Sequence, residues 1–523
     1  MRTRDLIARL GLNYPTKTAI IEGNGGRKAT WRDLDRRANA FALALQKLGV
    51  QKGDAVAILS HEHIEVYEHW FAILKLRAIR VAVNWRYAPR EMMHILYDSG
   101  AKVCLIDADS VPSLQNHFSE LQEKGILLMG YGKNHGLPLD YETLIQENQG
   151  ELELPPLQDD DVLLLSYTSG TTGLPKGVML TEKGIYTAIL HTALSCGLMP
   201  DDIWYTPAAN AWITIVLNSL FLANGMTMVI PNGDFEARSF LQDVEEAKVS
   251  VALLVPTMLR RVLEILQENP FDLSSLRMLM YGSAPTPPAL VRQAKERLQC
   301  DLMHIYGLTE VTGGWVSFLT PKDHARAFSE KPALLPSCGR PGLHFEVSIR
   351  DPYGQILPCG EHGEIWLKTD TMMKGYLHLP KQTAEVLKDG WFRTNDIGRM
   401  DEEGYLYLTD RQKFLIISGA ANVFPSAVEA VLAEHPLISE AAVVGIPHPE
   451  WGEAVVAAVK LMPSAKLASE ELIAFCKERL GRWEVPKYIE FDQELPKGIT
   501  GKLDKKKLQE NLKNKVPWRT DFQ

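Results

Sequence analysis

The sequence predicts an α/β fold with a large N-terminal domain of mainly parallel sheets flanked by helices, a β-barrel-like subdomain, and a small α+β C-terminal domain. Three observations support this prediction. The chain has 523 residues, which is enough for two to four domains at about 150 residues each. Up to about residue 340, short apolar runs alternate with helix-length segments. After that point, turns rich in glycine and aspartate divide the segments, as is typical of antiparallel structure.

The early elements follow from hydrophobic periodicity. Apolar residues recur at helical spacing from Trp31 to Leu48, with Thr30 as a cap and Gly49 as a stop. The apolar runs that follow have the length of strands buried on both faces, which is the pattern of parallel sheets with helical crossovers. The strands predicted in this way are 54–60, 102–106, 162–167, 251–255, 277–281 and 301–306.

The later elements predict two smaller units. Strands at 364–369 and 405–408 indicate the antiparallel, barrel-like subdomain. We expect a domain boundary near Asp410. Beyond it, a strand at 414–417, a helix at 425–435, a strand at 441–446 and a helix at 469–480 form an α+β pattern, and Ser469 and Gly481 are the expected cap and stop of the last helix.

Composition excludes several classes of function. Hydrophobic residues make up 46% of the chain and charged residues 23%, with a net charge of −9. This balance is typical of a globular protein and argues against nucleic acid as a partner, while a local basic pocket for a phosphorylated ligand is compatible with it. The six cysteines are scattered without a CxxC pair, which favours a reducing, cytoplasmic location. We expect neither a signal peptide nor a transmembrane segment.

The most specific segment is SYTSGTTGLPKGVML at 166–180. It follows a predicted strand and combines hydroxyl groups, glycines that let backbone amides approach an anion, and a lysine. It is not a Walker A loop, because Pro175 stands where the second glycine is required. We therefore predict a phosphate-binding loop with the candidate residues Thr168, Ser169, Gly170, Thr171, Thr172, Gly173 and Lys176.

This segment resembles the signature of the adenylate-forming acyl-CoA synthetase superfamily. Further motifs stand in the family's order, so the resemblance extends over nearly the whole chain: YGSAP at 281–285, YGLTE at 306–310, TND at 394–396, DRQK at 410–413 and PKGITGK at 496–502. The resemblance implies a large AMP- and acyl-binding domain over 1–409, a hinge at 410–413, and a small mobile lid domain over 414–523.

The resemblance also implies a nucleotide site at the carboxyl edge of a parallel sheet, where ligands tend to bind. Tyr306 would lie against adenine, Thr309 at phosphate, and Glu310 would hold Mg²⁺, with Gly307 opening the turn that carries them. The remaining candidates are the small residues that would let a base lie on the backbone and the charges that would contact ribose or phosphate: Gly282, Ser283, Ala284, Asp396 and Arg411.

Lys502 is the residue expected to carry most of the chemistry. A carboxylate resists nucleophiles, so joining it to AMP requires a cation where charge builds up, and a positioned lysine supplies one. The alternative is that Lys502 belongs to a solvated basic tail. With Glu310 and Thr168 it completes the predicted catalytic set. The resemblance further implies rotation of the small domain about Lys413 between two half-reactions.

The sequence motifs that indicate a coenzyme A site are weaker. The resemblance implies that SGAANVFP at 418–425 borders a pantetheine tunnel, with Gly419 allowing close approach. Trp483 and Lys487 would stack on and neutralise the CoA nucleotide, or Trp483 would instead pack in the small domain's core. Ala420 stands where relatives often have glycine, which weakens the CoA assignment.

Two further departures from the family pattern concern the turns of the site. Asn395 stands where relatives usually have glycine. This replacement should be tolerated, because asparagine also adopts the left-handed backbone conformation. Asn210, in PAANAW at 207–212, takes the approximate place of a histidine that shapes or gates the acyl pocket in relatives. Small residues nearby favour a long or broad apolar acid, and the absence of an aspartate at 207–216 disfavours an amino acid.

The predicted function is an ATP-dependent carboxylate–CoA ligase that forms an acyl-adenylate of a fatty or aryl acid, releases pyrophosphate, and transfers the acyl group to CoA. ATP, Mg²⁺ and coenzyme A are the expected cofactors. One alternative is an adenylating enzyme that loads the phosphopantetheine thiol of an acyl carrier protein. A second alternative is a catalytically silent nucleotide-binding protein. A homodimer is compatible with the sequence, which does not specify the acid or the oligomeric state.

Overall fold

The structure is a computed structural model, and it describes residues 2–150, 152–156, 158–168, 174–211, 213–411, 414, 416–418, 421–498 and 503–518. The first part of the chain alternates strands and helices. Its elements are α1 (Thr3–Asn13), β1 (Thr18–Glu22), β2 (Lys28–Thr30), α2 (Trp31–Lys47), β3 (Ala55–Leu59), α3 (Ile64–Leu76), β4 (Ile79–Val83), α4 (Pro89–Asp98), β5 (Ala101–Asp107), α5 (Val111–Leu114), α6 (Phe118–Glu123), β6 (Leu127–Tyr131), β7 (Leu139–Asp140), α7 (Tyr141–Glu147), β8 (Val162–Thr168) and β9 (Lys176–Thr181).

The second part continues the alternation. Its elements are α8 (Glu182–Ser195), β10 (Ile203–Tyr205), α9 (Thr214–Asn218), α10 (Phe221–Asn224), β11 (Thr227–Ile230), α11 (Ala237–Ala247), β12 (Val251–Leu254), α12 (Pro256–Glu268), β13 (Met278–Gly282), α13 (Pro288–Leu298), β14 (Asp301–Gly307), β15 (Trp315–Leu319), α14 (Pro321–Ser329) and β16 (Arg340–Pro341).

These two parts form two large sheets. The first sheet has the order β16-β15-β14-β13-β12-β10-β11-β1-β2, and the second has the order β19-β9-β8-β4-β3-β5-β6-β7, where β19 (Gly375–Tyr376) returns from later in the chain. Most neighbouring strands run parallel, for example β10 with β12 and β3 with β4. Strands β3 and β12 are buried at every position, as expected for strands covered on both faces.

The third part is antiparallel. It contains β17 (Glu346–Arg350), β18 (Gly363–Lys368), β19, α15 (Pro380–Val386), β20 (Leu387–Lys388), β21 (Trp391–Met400) and β22 (Leu406–Arg411). The third sheet has the order β17-β18-β21-β20, and β22 pairs with β21. This arrangement of short strands and tight turns matches the antiparallel subdomain that the sequence predicts.

The last part is the small α+β unit. It contains β23 (Ile416–Ser418), β24 (Ala421–Val423), α16 (Pro425–Ala433), β25 (Ile438–His448), β26 (Gly452–Leu461), α17 (Ser469–Lys477), β27 (Tyr488–Phe491) and α18 (Lys505–Lys513). It touches the large domain where the Ser426 hydroxyl donates to the Thr409 carbonyl and where Arg260 Nη1 donates to the Ser439 carbonyl at 3.0 Å.

The predicted fold class is confirmed, with two local differences. The strand expected to begin at Phe414 begins at Ile416. The last predicted helix has Ala468, not Ser469, as its N-cap, and it ends at Lys477, before Gly481. The Glu471 side chain accepts from the Ala468 N–H at 3.4 Å, so a carboxylate caps this end where a serine hydroxyl was expected. None of the described helices combines the length and the apolar character that crossing a bilayer requires.

Candidate functional site

The candidate site lies at the carboxyl edge of the first sheet. Strands β10, β12, β13 and β14 run parallel to one another, so the segments that follow them meet at one edge. Two of those segments are predicted site motifs, Gly282–Ala284 after β13 and Gly307–Glu310 after β14. The carboxyl edge of an open parallel sheet is where ligands bind in α/β folds.

The turn after β13 depends on small residues. A Cβ atom on Gly282 would lie 2.2 Å from the carbonyl oxygen of Ile305, so only glycine lets β13 approach β14 this closely. Ser283 has φ +63°, a left-handed conformation that turns the chain sharply. With Ala284 next, the turn exposes backbone rather than large side chains, as the sequence predicts for a surface on which a flat group lies.

Tyr306 and Asp396 are brought together. The Tyr306 hydroxyl donates to Asp396 Oδ2 at 2.7 Å, and both side chains are buried. Asn395 has φ +58°, so the substitution for glycine adopts the left-handed geometry expected of it. The Asn395 N–H donates to Glu364 Oε1 at 3.2 Å, and the Asp396 N–H donates to Thr394 Oγ1 at 3.0 Å. The turn thus fixes the Asp396 carboxylate at the end of β14.

Glu310 meets the second sheet through Tyr376. Thr309–Val311 form a short 3₁₀ turn after β14. The Tyr376 hydroxyl donates to Glu310 Oε1 at 3.0 Å, and the Met373 N–H donates to the Glu310 carbonyl at 2.8 Å. Lys176 Nζ lies 5.3 Å from the centroid of the Tyr376 ring. A carboxylate and an ammonium group therefore converge on one tyrosine between the two large sheets.

The predicted phosphate loop joins β8 to β9. Thr168 and Lys176 are directly opposite each other in this antiparallel pair. The described residues on both sides of the loop contact α4: the Tyr167 hydroxyl donates to Asp98 Oδ2 at 2.8 Å, and His94 Nε2 lies 3.0 Å from the Pro175 carbonyl oxygen. The described residues on either side of the loop are therefore anchored on one helix.

Several predicted site residues lie outside the described residues: Ser169, Gly170, Thr171, Thr172, Gly173, Lys413, Gly419 and Lys502. Ala420, the departure beside Gly419, lies outside them too. Their roles stay predictions. The backbone of Arg411 pairs with that of Asp396 across β22 and β21, which places Arg411 beside the predicted ribose contact.

Asn210 does not stand free at the edge of the site. Its Oδ1 accepts from Arg80 Nη2 at 2.8 Å, and its carbonyl oxygen accepts from Arg80 Nη1 at 3.3 Å. Its N–H donates to Glu62 Oε1 at 2.5 Å, and its Nδ2 donates to the Ser60 carbonyl at 3.3 Å. Every polar group of this asparagine is therefore engaged, by Arg80 on β4 and by residues 60–62 between β3 and α3.

Buried histidines lie behind the site. Burial lowers the pKa of His304, two residues before Tyr306, to about 3, and the neighbouring His324 lowers it further. Burial also lowers the pKa of His324 to about 4. His324 Nε2 lies 2.8 Å from the Tyr281 hydroxyl. Both imidazoles are therefore neutral near pH 7, and they support β13 and β14 without adding charge to the site.

The small domain leaves Trp483 at its surface. Trp483 is 38% exposed. The interpretation that it packs in the core of the small domain is therefore wrong. Lys487 Nζ donates to the Arg482 carbonyl at 3.2 Å. Burial lowers the pKa of Lys487, and the positive charges of Arg482 and Lys477 lower it further. An electropositive patch with an accessible aromatic ring results.

Sequence reasoning missed Tyr376, Arg80 and Glu62. Tyr376 belongs to a two-residue strand in which Gly375 has φ +145°, and a Gly-Tyr pair following an apolar segment gives only a weak signal. An arginine inside the apolar run IRVAV at 79–83 is a stronger one, because a buried charge needs a partner.

The donor set fits Mg²⁺ carried by a nucleotide. Among the described residues, no group of three or more histidine, cysteine, aspartate or glutamate side chains is arranged to hold a metal ion. Mg²⁺ in nucleotide sites is commonly bound by one or two carboxylates together with substrate phosphates and water. Glu310 supplies one such carboxylate beside the predicted phosphate loop.

Two family models match the chain. The model of the AMP-binding enzyme family matches residues 8–377, and the model of the AMP-binding enzyme C-terminal domain matches residues 427–502. Together they include the described parts of the site at β13, β14 and β19.

Individual relatives match over almost their whole length. A long-chain-fatty-acid–CoA ligase, FadD13 of Mycobacterium tuberculosis, is 31% identical over 96% of this chain and 97% of its own. A fatty acid–[acyl-carrier-protein] ligase, ScoC of Streptomyces coeruleorubidus, is 33% identical over 95% and 94%. The structure of o-succinylbenzoate CoA synthetase from Bacillus subtilis, in complex with its acyl-adenylate intermediate, is similar with a TM-score of 0.84, 28% identity, and coverage of 100% and 99%.

Proposed function

Because this chain belongs to the AMP-binding enzyme family, we propose that it joins an apolar carboxylic acid, fatty or aryl, to coenzyme A at the expense of ATP. It is an AMP-forming acid–thiol ligase. The observation that carries the proposal is the convergence of the Tyr306–Asp396 pair and the Glu310–Tyr376–Lys176 group on one sheet edge.

The reaction has two steps. In the first, a carboxylate oxygen of the acid attacks the α-phosphorus of ATP, a P–O bond forms, and pyrophosphate leaves with the electrons of the broken bond. In the second, the CoA thiol loses its proton and its sulfur attacks the acyl carbonyl carbon, so that AMP leaves with one oxygen of the original carboxylate. The products are acyl-CoA, AMP and pyrophosphate.

The large domain binds the nucleotide. Tyr306 offers its ring to adenine, and the small-residue turn at Gly282–Ala284 offers the base a backbone surface. Asp396 accepts from the ribose hydroxyls, with Arg411 beside it. The 2.7 Å hydrogen bond between Tyr306 and Asp396 supports this assignment, because one contact positions both the residue that binds the base and the residue that binds the ribose.

The phosphates lie toward the second sheet. Thr168, Thr309 and Lys176 contact the phosphate oxygens together with the loop residues Ser169, Gly170, Thr171, Thr172 and Gly173. Glu310 holds the Mg²⁺ that accompanies ATP, and the ion supplies neutralisation of phosphate charge. Lys176 Nζ lies 5.3 Å from the centroid of the Tyr376 ring, so a positive charge lies on the side of the site where the phosphates are placed.

The small domain completes the site. Lys502 brings an ammonium group to the charge that develops between carboxylate and α-phosphate. Residues 1–409 and 414–523 are the two units, and Lys413 in the hinge at 410–413 lets the second rotate. We assign Gly419 and the exposed Trp483 to the CoA side. Trp483 is 38% exposed and the Arg482 guanidinium lies 5.7 Å from its ring centroid, so an accessible aromatic surface beside positive charge supports its assignment.

A second acceptor is the phosphopantetheine thiol of an acyl carrier protein. The 33% identity to a fatty acid–[acyl-carrier-protein] ligase supports it. Both thiols have the same pantetheine arm, so the first half-reaction is common to the two candidates and only the acceptor distinguishes them. A cytoplasmic location is supported by six free cysteines, of which Cys359 is exposed.

The test is acid-dependent pyrophosphate release over a panel of octanoate, hexadecanoate, 4-hydroxycinnamate and succinate, followed by mass measurement of the product with CoA or holo acyl carrier protein. We expect release with a fatty or aryl acid and a thioester with CoA. Release followed by a thioester only with the carrier protein would favour the second acceptor. No release with any acid would contradict the proposed function.

A further inference from the structure

A charged pair buried between the two large sheets is bridged by Asn210. Arg80 on β4 donates to the two oxygens of Asn210, and Glu62, just before α3, accepts from the Asn210 N–H. All three residues are buried. The two oxygens of Asn210 thus accept from the Arg80 guanidinium, and its N–H donates to the Glu62 carboxyl group, whose pKa burial raises.

Burial of the Arg80 guanidinium at this position costs free energy. Within the described part of the chain its guanidinium makes no ion pair, and its Nε has no hydrogen-bond partner. Burial lowers its pKa to about 10. Removing a cation from water costs several kcal/mol even after relaxation, and an apolar side chain on β4 would avoid that cost. The residue whose polar atoms Arg80 satisfies is Asn210, so its benefit to the protein is found there.

The same carboxylate also anchors the far end of the segment. Asn218, at the end of α9, donates through Nδ2 to the Tyr67 hydroxyl at 2.6 Å, and that hydroxyl donates to Glu62 Oε2 at 3.2 Å. Residues 210 and 218 are therefore tied to one glutamate. Both ends of the stretch 210–218, which follows β10 of the first sheet, are therefore held by groups on or just before α3.

This stretch reaches the candidate site. A Cβ on Gly313 would lie 2.4 Å from Cγ1 of Ile213, so Ile213 packs directly on the backbone of the turn that follows Glu310. Segment 206–211 itself follows β10 at the same sheet edge as Gly282–Ala284. The bridge therefore holds a segment of this sheet edge from behind, and none of the nucleotide-binding residues of the proposal belongs to that segment.

We infer that Arg80 and Glu62 are positioning residues for the carboxylic acid, acting through Asn210 on the wall formed by segment 206–211 and Ile213. This inference rests on the proposed function. The wall contains three small apolar residues, Ala208, Ala209 and Ala211, of which the last two are buried. The nucleotide groups are held by other contacts, Tyr306 by Asp396 and Glu310 by Tyr376. Loss of the bridge therefore weakens the binding of the acid and leaves the binding of ATP almost unchanged.

The test measures KM for the best acid of the panel and KM for ATP in the wild type, Arg80→Met, Arg80→Lys and Asn210→Ala. We expect KM for the acid to rise about tenfold in Arg80→Met and Asn210→Ala, the loss expected for hydrogen bonds to a charged group. KM for ATP should change less than about twofold. Arg80→Lys keeps the charge but lacks the planar guanidinium whose two nitrogens reach the two oxygens of Asn210, so it should recover part of the effect.

Arg37→Met is the matched control. Arg37 on α2 is also held by carboxylates, Glu68 and Glu142, but it has no contact with segment 206–211 among the described residues. An equal rise in both KM values, no change in either, or the same acid-selective rise in Arg37→Met would overturn the inference. If Arg80→Met does not fold, the same outcomes are read from Asn210→Ala. A wild type inactive with every acid would instead contradict the proposed function.

Discussion

The hydroxyl of Tyr306 donates to Oδ2 of Asp396 at 2.7 Å, and this bond joins the end of β14 in the first sheet to β21 in the third. The two residues are 90 positions apart in the chain. Because both are buried, removing the donor of this pair costs the carboxylate one hydrogen bond in a place that water reaches poorly. The pair therefore fixes the geometry of the proposed adenosine site.

Tyr306→Phe removes this donor and keeps the ring. We expect KM for ATP to rise about tenfold, because a hydrogen bond to a charged group contributes roughly 1.5–3 kcal/mol, while KM for the acid stays near the wild-type value. Initial rates of pyrophosphate release at varied ATP check this. Tyr353→Phe, at a tyrosine that is 91% exposed, is the control and should change nothing. An unaltered KM for ATP in Tyr306→Phe would argue against the assigned role.

Glu310→Gln removes the charge and retains an oxygen that accepts from Tyr376. We expect the Mg²⁺ concentration for half-maximal rate to rise and the rate to fall about 10²- to 10³-fold, the loss typical of one preorganised electrostatic group. Tyr376→Phe keeps the charge and should cost less. Pyrophosphate release titrated with MgCl₂ measures both. Identical Mg²⁺ dependence in wild type and Glu310→Gln would show that the carboxylate does not serve the ion.

Arg80 and Glu62 should be coupled in stability. The two groups, both among the described residues, make no direct ion pair, but both are buried and each acts electrostatically on the other. Leaving one of two opposite buried charges uncompensated costs about 3–5 kcal/mol, whereas removing both often costs little. We therefore expect Arg80→Met and Glu62→Gln each to lower the free energy of unfolding by about 3 kcal/mol, and the double variant to lose less than their sum. Urea unfolding of the four proteins completes the cycle. Strict additivity would mean that Asn210 transmits no coupling.

His304 and His324 predict acid sensitivity of the fold. Burial lowers their pKa values to about 3 and about 4, below the usual 6.5. Between about 6.5 and 4 the unfolded chain binds protons that the folded chain does not, so stability is complete above that range and falls as the pH falls, by up to about 1.4 kcal/mol per pH unit for each histidine.

The check is unfolding at pH 7.5, 6 and 5 for the wild type and His304→Phe. The variant should lose less stability on acidification than the wild type. Leu343→Ala, at a leucine that is 92% exposed, should retain the wild-type pH slope. Parallel pH profiles for wild type and His304→Phe would exclude a neutral buried imidazole at this position.

Much of the fold was predictable because it depends on local patterns. The apolar run at 162–167 gives β8 (Val162–Thr168), and the run at 301–306 gives β14 (Asp301–Gly307). Tyr306 and Asp396 were each identified by their motifs. Their contact was not, because sequence spacing carries no information on which two strand ends meet across 90 residues.

The missed features share this physical cause. Tyr376 belongs to a strand of two residues, too short to show any periodicity. Arg80 is a charged residue within an apolar run. Its guanidinium binds the side chain of Asn210, which is 130 residues away in the chain. The start of β23 at Ile416 instead of Phe414, and the N-cap at Ala468, reflect the weakness of boundary signals when a neighbouring carboxylate or a tertiary contact decides where an element begins.

The passage of the acid through an acyl-adenylate is tested most directly with a carboxylic acid labelled with oxygen-18 in both carboxylate oxygens. The wild-type enzyme is incubated with the labelled acid, ATP, Mg²⁺ and CoA, and the AMP and thioester are analysed by mass spectrometry. We predict that each AMP formed carries one labelled oxygen and that each acyl-CoA retains the other. Unlabelled AMP, or label found in inorganic phosphate together with ADP, would contradict the account.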